Sequence, residues 1–131
     1  MTGLDANVLA RFLLDDDALQ SPKTARFMGS LTVEDPGWVG VATILELVWV
    51  LISKNRFDRK TIAKTLEQLL LQEELLIEQE SVVQSAIQLF RSGDADFADC
   101  LIAASAQAAR CTQTVTFDRI AARDAGMELL A

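Results

Sequence analysis

Short segments of strand length alternate with longer segments of helical periodicity, and this alternation constrains the fold more than any other feature. The predicted order of elements is β-α-α-α-α-β-α-α-β-α-β. Strands joined through helices pair in parallel, so the order predicts an α/β fold with a parallel sheet covered by helices on both faces. The strand-length segments are the residues before Asp5, residues 74–78, "TQTVTFD" and "MELLA".

Capping residues predict where several helices begin and end. Ser21 is the predicted N-cap of a helix that runs to about Ser30, and Ser81 is the predicted N-cap of a helix that ends at Gly93. Asp94 is predicted to be either the N-cap of the Ala-rich helix that follows or a residue of the loop before it. "LTVEDPGWVGV" is predicted to hold a short apolar segment and a Pro-Gly turn. Further helices are predicted after Asp5, at 43–53, at 58–71 and at 118–126.

Length and composition predict one domain over residues 1–131. The longest apolar run, residues 38–52, is shorter than the roughly 20 residues that span a bilayer. The first residues lack the basic start and apolar stretch of a signal peptide, so we expect a cytoplasmic protein. Cys100 and Cys111 stand apart in a chain without histidine, which predicts two free thiols in or near the core and no zinc site.

The charge is strongly acidic but unevenly distributed. A net charge of −7 argues against binding of nucleic acid over the whole surface. Residues 54–64 nevertheless hold five of the twelve basic residues and one acid, which leaves seven basic residues against eighteen acids elsewhere. This basic strip is either a solvated helix face or a local contact for a phosphate backbone.

One glutamate interrupts the apolar segment "ATILELVWVL". Glutamate is seldom buried without a partner, and no lysine or arginine occurs between Gly29 and Ser53. Glu46 is therefore expected either to face water or to face a positive group that does not belong to this chain.

Two aspartates follow predicted strands, and two others open a helix. Asp5 and Asp118 fall where sites form in parallel α/β sheets, just beyond the carboxyl ends of strands. Asp96 and Asp99 are three residues apart, which places them on one helix face. Taken singly, each aspartate is explained as a helix cap, a turn residue or a first-turn acid.

Taken together with Glu46, these aspartates predict one acidic site. Carboxylates that converge without a basic partner repel one another, and a divalent cation relieves that repulsion. Oxygen ligands without histidine or thiolate suit Mg²⁺ or Mn²⁺. The chemistry this favours is metal-assisted hydrolysis of phosphodiester bonds, in which no covalent nucleophile takes part.

Four segments resemble PIN-domain proteins in order and spacing: "LDANVLARFLLDDD", "ATILELVWVL", "DFADCLIAASA" and "TVTFDR". They look most like the VapC ribonuclease toxins of type II toxin–antitoxin pairs. The resemblance implies an α/β/α sandwich with a central parallel sheet and a divalent-metal-dependent endoribonuclease that cuts RNA, such as tRNA or rRNA, with Mg²⁺ or Mn²⁺.

The resemblance also implies roles for individual residues and partners. A homodimer and a cognate antitoxin protein are implied, with antitoxin contacts at helices 43–53 and 61–71. The implied catalytic residues are Asp5, Glu46, Asp99 and Asp118, with Asp5 and Asp99 as metal ligands, Asn7 and Thr116 as supporting polar residues, and Asp96 as a less constant acid.

Two alternatives remain open at this point. One is a catalytically silent PIN-like protein that binds RNA or a partner. The other is a phosphatase with an aspartate nucleophile in the style of haloacid dehalogenases, which normally needs Asp-x-Asp after the first strand, where this chain has Asp5-Ala6-Asn7.

Overall fold

The computed structural model describes residues 1–130, so the last residue of the predicted final strand, Ala131, lies outside the described residues. All strand pairings within these residues are parallel, in a sheet of order β1-β2-β3 and a pair β4-β5. The elements are β1 (Thr2–Gly3), α1 (Ala6–Leu14), α2 (Gln20–Gly29), β2 (Gly37–Val39), α3 (Val41–Ser53), α4 (Arg59–Leu70), β3 (Leu75–Ile77), α5 (Glu80–Ser92), α6 (Phe97–Ala108), β4 (Val115–Thr116), α7 (Arg119–Asp124) and β5 (Glu128–Leu129).

The chain divides into two compact units, which we call unit 1 (residues 1–58 and 68–78) and unit 2 (residues 59–67 and 79–130). That the whole chain acts as a single domain stays a prediction. None of the helices in residues 1–130 combines the length and the apolar character needed to cross a membrane.

Unit 1 contains the three-stranded sheet. Helix α1 packs against both α2 and α3. The side chains that fill the core of this unit are large and aliphatic, and Leu9, Ile44, Leu47 and Leu51 are all fully buried. Burial of each such side chain stabilises the fold by about 1.5–3 kcal/mol.

The middle strand of this sheet, β2, is absent from the predicted order. The sequence indicated a Pro-Gly turn here, but Gly37 pairs with Thr2 on one side and with Leu75 on the other. A Cβ atom at Gly37 would lie 2.9 Å from Leu4 Cδ1 and 3.0 Å from Leu75 Cδ2. Glycine is therefore needed at this position because a larger residue would clash within the sheet. The Pro-Gly pair looks like a turn in the sequence although Gly37 begins a strand.

Unit 2 is built on the packing of α5 against α6, and α7 contacts β4 and β5. Phe90 and Phe97 meet edge to face with their ring centroids 5.6 Å apart. Cys100 and Cys111 are both free thiols, as predicted. Cys100 is buried, but the predicted place of Cys111 in or near the core is wrong, because Cys111 lies in an exposed segment after α6.

The predicted caps Ser21 and Ser81 are wrong, because both helices begin before the serine. Asp17 Oδ1 accepts hydrogen bonds from the backbone N–H groups of Leu19 and Gln20, so α2 begins before Ser21. Helix α5 begins one residue before Ser81 and has no side-chain cap.

Candidate active site

In unit 1, Asp5 lies between β1 and α1. The N–H of the preceding residue, Leu4, donates to Trp38 O at 2.9 Å and continues the pairing of β1 with β2. Asp5 is the N-cap of α1, because its Oδ1 accepts a hydrogen bond from Val8 N at 2.9 Å. Asp5 and Asn7 are both exposed. The sheet and the cap thus fix the backbone of Asp5 and leave its carboxylate at the surface.

Glu46 also belongs to unit 1 and lies on α3. Thr43, one turn earlier, donates its hydroxyl to Leu4 O at 3.4 Å. The helix buries Ile44 and Leu47 on either side of Glu46, which is exposed. Glu46 makes no ion pair or hydrogen bond within residues 1–130. The carboxylate that interrupts the apolar segment therefore faces solvent, and a positive partner from outside the chain stays a prediction.

Glu78 is a residue that the sequence reasoning missed. It follows β3, and its Oε1 accepts a hydrogen bond from Val41 N at 2.9 Å. Val41 is the first residue of α3, whose N-cap, Gly40, has no side chain. Glu78 therefore holds the start of the helix that carries Glu46. The only sequence signal for this role is a glycine at the N-cap position, which must leave the capping to a distant side chain.

In unit 2, Asp96 is the N-cap of α6. Its Oδ1 accepts a hydrogen bond from Asp99 N at 2.8 Å. Of the two places predicted for Asp94, the loop is the correct one: Asp94 lies in the turn before α6, and its N–H donates to Asp124 Oδ2 at 2.9 Å. Asp96 and Asp99 thus stand in the first turn of one helix, as their spacing predicted.

Asp118, also in unit 2, is the N-cap of α7. Its Oδ1 accepts hydrogen bonds from Ile120 N at 2.8 Å and Ala121 N at 2.9 Å. The Asp118 N–H donates to Thr116 Oγ1 at 3.0 Å, in the strand just before it. Two hydrogen bonds therefore orient the carboxylate of this exposed aspartate, and the third holds its backbone.

The electrostatics of Asp99 link these three acids of unit 2. Partial burial raises the pKa of the Asp99 carboxyl group, and the negative charges of Asp96 and Asp118 raise it further, as does a side-chain hydrogen bond with Asp96. We call Asp96, Asp99 and Asp118 the unit 2 acid group. Its members are helix caps and first-turn acids, but they also repel one another.

The donor chemistry of this group fits a hard divalent cation, because all its donors are carboxylate oxygens. The capping hydrogen bonds are accepted by Oδ1 of Asp96 and by Oδ1 of Asp118, so the caps do not use the second oxygen, Oδ2, of either carboxylate. Among residues 1–130, no three histidine, cysteine, aspartate or glutamate side chains are grouped closely enough to hold a metal ion. The ligand pair Asp5 and Asp99 accordingly stays a prediction.

The chain was compared with known proteins. A model of the PIN domain family matches residues 4–126, which include all the predicted site residues. The predicted fold class, a PIN-like α/β sandwich with a parallel sheet, is confirmed by this match. No curated protein matches the chain. A chain of the solved structure titled "Crystal Structure of FitAcB from Neisseria gonorrhoeae" is 21% identical, with 100% of this chain and 97% of that chain covered and a TM-score of 0.38. That degree of likeness has no bearing on function.

Proposed function

Because the chain belongs to the PIN-domain family, we propose that it is a divalent-metal-dependent endoribonuclease. PIN domains are generally nucleases, so hydrolysis of phosphodiester bonds is the activity at the level of the family. The choice of RNA as substrate, and of Mg²⁺ or Mn²⁺ as cofactor, belongs to the proposal.

The observation that carries the proposal is the family match over residues 4–126, and the placement of Asp96, Asp99 and Asp118 at helix starts in unit 2 supports it. Asp96 caps α6, and the second acid, Asp99, gains from the helix dipole but is repelled by the negative charge of Asp96. The unit 2 acid group sets two charged caps around a half-buried third acid. Such an arrangement lowers stability unless a cation joins it, which supports a role in metal binding.

The proposed catalytic residues are Asp5, Glu46, Asp99 and Asp118, with Asp5 and Asp99 as metal ligands. A bound Mg²⁺ or Mn²⁺ supplies a polarised water and stabilises the charge on the leaving oxygen. Asp118 has a carboxylate oriented by two capping hydrogen bonds and would hold the attacking water. Asn7, Thr116 and Asp96 would support these residues, as the motif resemblance implies.

The physiological setting rests on the motif resemblance. We propose a VapC-like toxin that acts on tRNA or rRNA in the cytoplasm, forms a homodimer and is inhibited by a cognate antitoxin. Exposed apolar side chains support antitoxin contacts at helices 43–53 and 61–71. Trp49 is 61% exposed, Ile52 is 46% exposed and Leu71 is 78% exposed.

A cleavage assay tests the proposed activity. Single-stranded and structured RNA would be incubated with the protein and Mn²⁺ or Mg²⁺, and then with excess chelator. Cleavage that needs the metal and is lost in Asp99→Asn supports the nuclease. Glu34→Gln, which removes one exposed charge from a loop of unit 1, is the matched control and should retain full activity.

The other outcomes identify the alternatives. RNA binding without cleavage under any metal would favour a silent PIN-like binder. Release of phosphate from small monoesters, with RNA left intact, would favour the phosphatase.

A further inference from the structure

A basic cleft in unit 2 takes no part in the acid chemistry above. Its volume is about 420 Å³, and it is lined by Arg59, Lys60, Lys64, Arg91 and Gly93. Four of its five lining residues are basic and none is acidic, in a chain whose net charge is −7. A concentration of cations of this kind in an acidic protein calls for a specific explanation.

Arg59 forms the fixed wall of this basic cleft. Its Nη2 donates hydrogen bonds to Phe90 O at 2.6 Å and to Ala95 O at 2.7 Å. Its guanidinium carbon lies 3.9 Å from the centre of the Phe90 ring. These contacts position the Arg59 guanidinium on unit 2, so its positive charge has a defined place in the wall of the cleft.

Lys60 and Lys64 are the two lysines of the cleft. They are one turn apart on the same face of α4, and both are exposed. Neither forms an ion pair within residues 1–130. Like charges at this spacing repel each other, and basic residues in the first turn oppose the helix dipole. This arrangement is unfavourable by itself and becomes favourable with an anion in the cleft.

Arg91 approaches the cleft from the last turn of α5, far from the basic strip in sequence. Its Nη2 lies 2.8 Å from Glu67 Oε1, an ion pair whose angles do not make it a hydrogen bond. The Arg91 side chain remains 45% exposed. Glu67 therefore orients the guanidinium, which keeps donors for a ligand.

We propose that the basic cleft binds backbone phosphates of single-stranded RNA. This proposal rests on the proposed nuclease function and adds to it a second place where the substrate is held. Ammonium and guanidinium groups bind phosphate oxygens without reading bases, so the contact is independent of sequence. The repulsion between RNA and an otherwise acidic surface makes such a contact necessary for substrate capture. Within the basic strip, Lys60 and Lys64 contact the phosphates, and Arg59 adds a fixed positive charge to the wall of the cleft.

RNA binding without cleavage tests this proposal. The binding constant of the full chain for a fluorescent single-stranded RNA would be measured in excess chelator over a range of salt concentrations. Each neutralised phosphate contributes about 0.7 to the slope of log K against log salt. The double charge reversal Lys60→Glu, Lys64→Glu should reduce that slope by about 1.4.

The control is the double reversal Lys54→Glu, Arg110→Glu. It changes the net charge equally at two exposed residues that do not line the cleft, and it should leave the slope unchanged. The conservative pair Lys60→Arg, Lys64→Arg should retain both slope and affinity. Thermal melts verify that all three variants fold.

Three results would overturn the cleft assignment. Equal loss of slope in the test and control reversals would mean that only net charge matters, and an unchanged slope in the cleft variant would remove the cleft from the binding surface. Polyglutamate binding as tightly as RNA, with the same dependence on Lys60 and Lys64, would make the occupant an acidic protein segment. A slope that falls as expected, in a protein that never cleaves RNA, would leave the cleft standing and refute the nuclease alone.

Discussion

Asp5 in unit 1 and Asp118 in unit 2 both follow a strand and cap the next helix, yet their surroundings differ. Asp5 accepts one backbone hydrogen bond, from Val8, whereas Asp118 accepts two. Asp118 also raises the pKa of a second acid, Asp99, through its charge. A cap explains Asp5 and Asp118 singly, whereas Asp99 combines partial burial with two neighbouring negative charges, which together raise its pKa. The coupled acid therefore distinguishes a candidate site from ordinary helix capping.

The largest expected effect is on RNA cleavage in Asp99→Asn, and it tests whether Asp99 binds a metal or only supports its helix. Asp99→Asn should reduce metal-dependent RNA cleavage on the order of 10³-fold, because it removes a proposed metal ligand. The same variant should raise the free energy of unfolding at pH 7 in chelator. The pKa of Asp99 is raised in the folded state, so the stability linked to its protonation is present at low pH and is lost as pH rises through that pKa. Asparagine carries no charge and avoids this loss. Urea denaturation gives the comparison.

Asp5→Asn is the matching variant in unit 1. It should abolish cleavage as well, but asparagine caps a helix as well as aspartate does, so stability should hardly change. A clear loss of metal-free stability in both variants, with cleavage retained, would reduce both acids to structural caps.

The next effect concerns close packing in the two units. Gly93 ends α5 in unit 2, and a Cβ atom placed there would lie 2.7 Å from Asp124 Cβ. Gly93→Ala should therefore destabilise the protein by about 1–3 kcal/mol, since neither backbone can move freely. Gly29 ends α2 in unit 1 and has nothing within 4 Å of the same position. Gly29→Ala should stabilise by about 0.5–1 kcal/mol. Equal effects of the two substitutions on the free energy of unfolding would contradict this difference.

Periodicity in the sequence predicted the parallel α/β class, because that signal is local and repeats along each helix. Strand β2 could not be found in this way, because it has three residues and starts with Gly37 after Pro36. Its identity as a strand comes from pairing on both sides, which is a tertiary property.

The residues of the candidate site show the same difference between local information and tertiary contacts. The spacing of Asp96 and Asp99 was enough to place them on one helix turn, and this is observed. The coupling of Asp99 to Asp118 joins acids that are distant in the chain, and the capping of α3 by Glu78 joins two separate elements. Sequence spacing contains no information on either interaction.

A smaller effect tests the caps themselves. Asp118→Ala should destabilise the protein by about 1–2 kcal/mol, because it leaves the N–H groups of Ile120 and Ala121 without their acceptor. Asp5→Ala removes one such bond, to Val8, and should cost about 1 kcal/mol. Asp118→Asn retains the cap and should lose cleavage without losing stability. Chemical denaturation of the four proteins, wild type included, decides whether the cap with two bonds is the stronger one.

The smallest expected effect is a pH dependence confined to unit 2, at Asp124. Hydrogen bonds from the Arg123 guanidinium, at 2.8 Å to each carboxylate oxygen, and from the Asp94 N–H at 2.9 Å lower the pKa of Asp124 to about 2, against an ordinary value of 3.8. The folded-state pKa is depressed, so this carboxylate stabilises the fold above about pH 4 and loses that contribution as pH falls toward 2. The difference in unfolding free energy between wild type and Asp124→Asn should therefore shrink over this range. In an Arg123→Gln background the shrinkage should be smaller, because the larger cause of the shift is gone. A difference that stays constant from pH 5 to pH 2 in both backgrounds would show that Asp124 holds the turn at Gly93 by shape alone, without its charge.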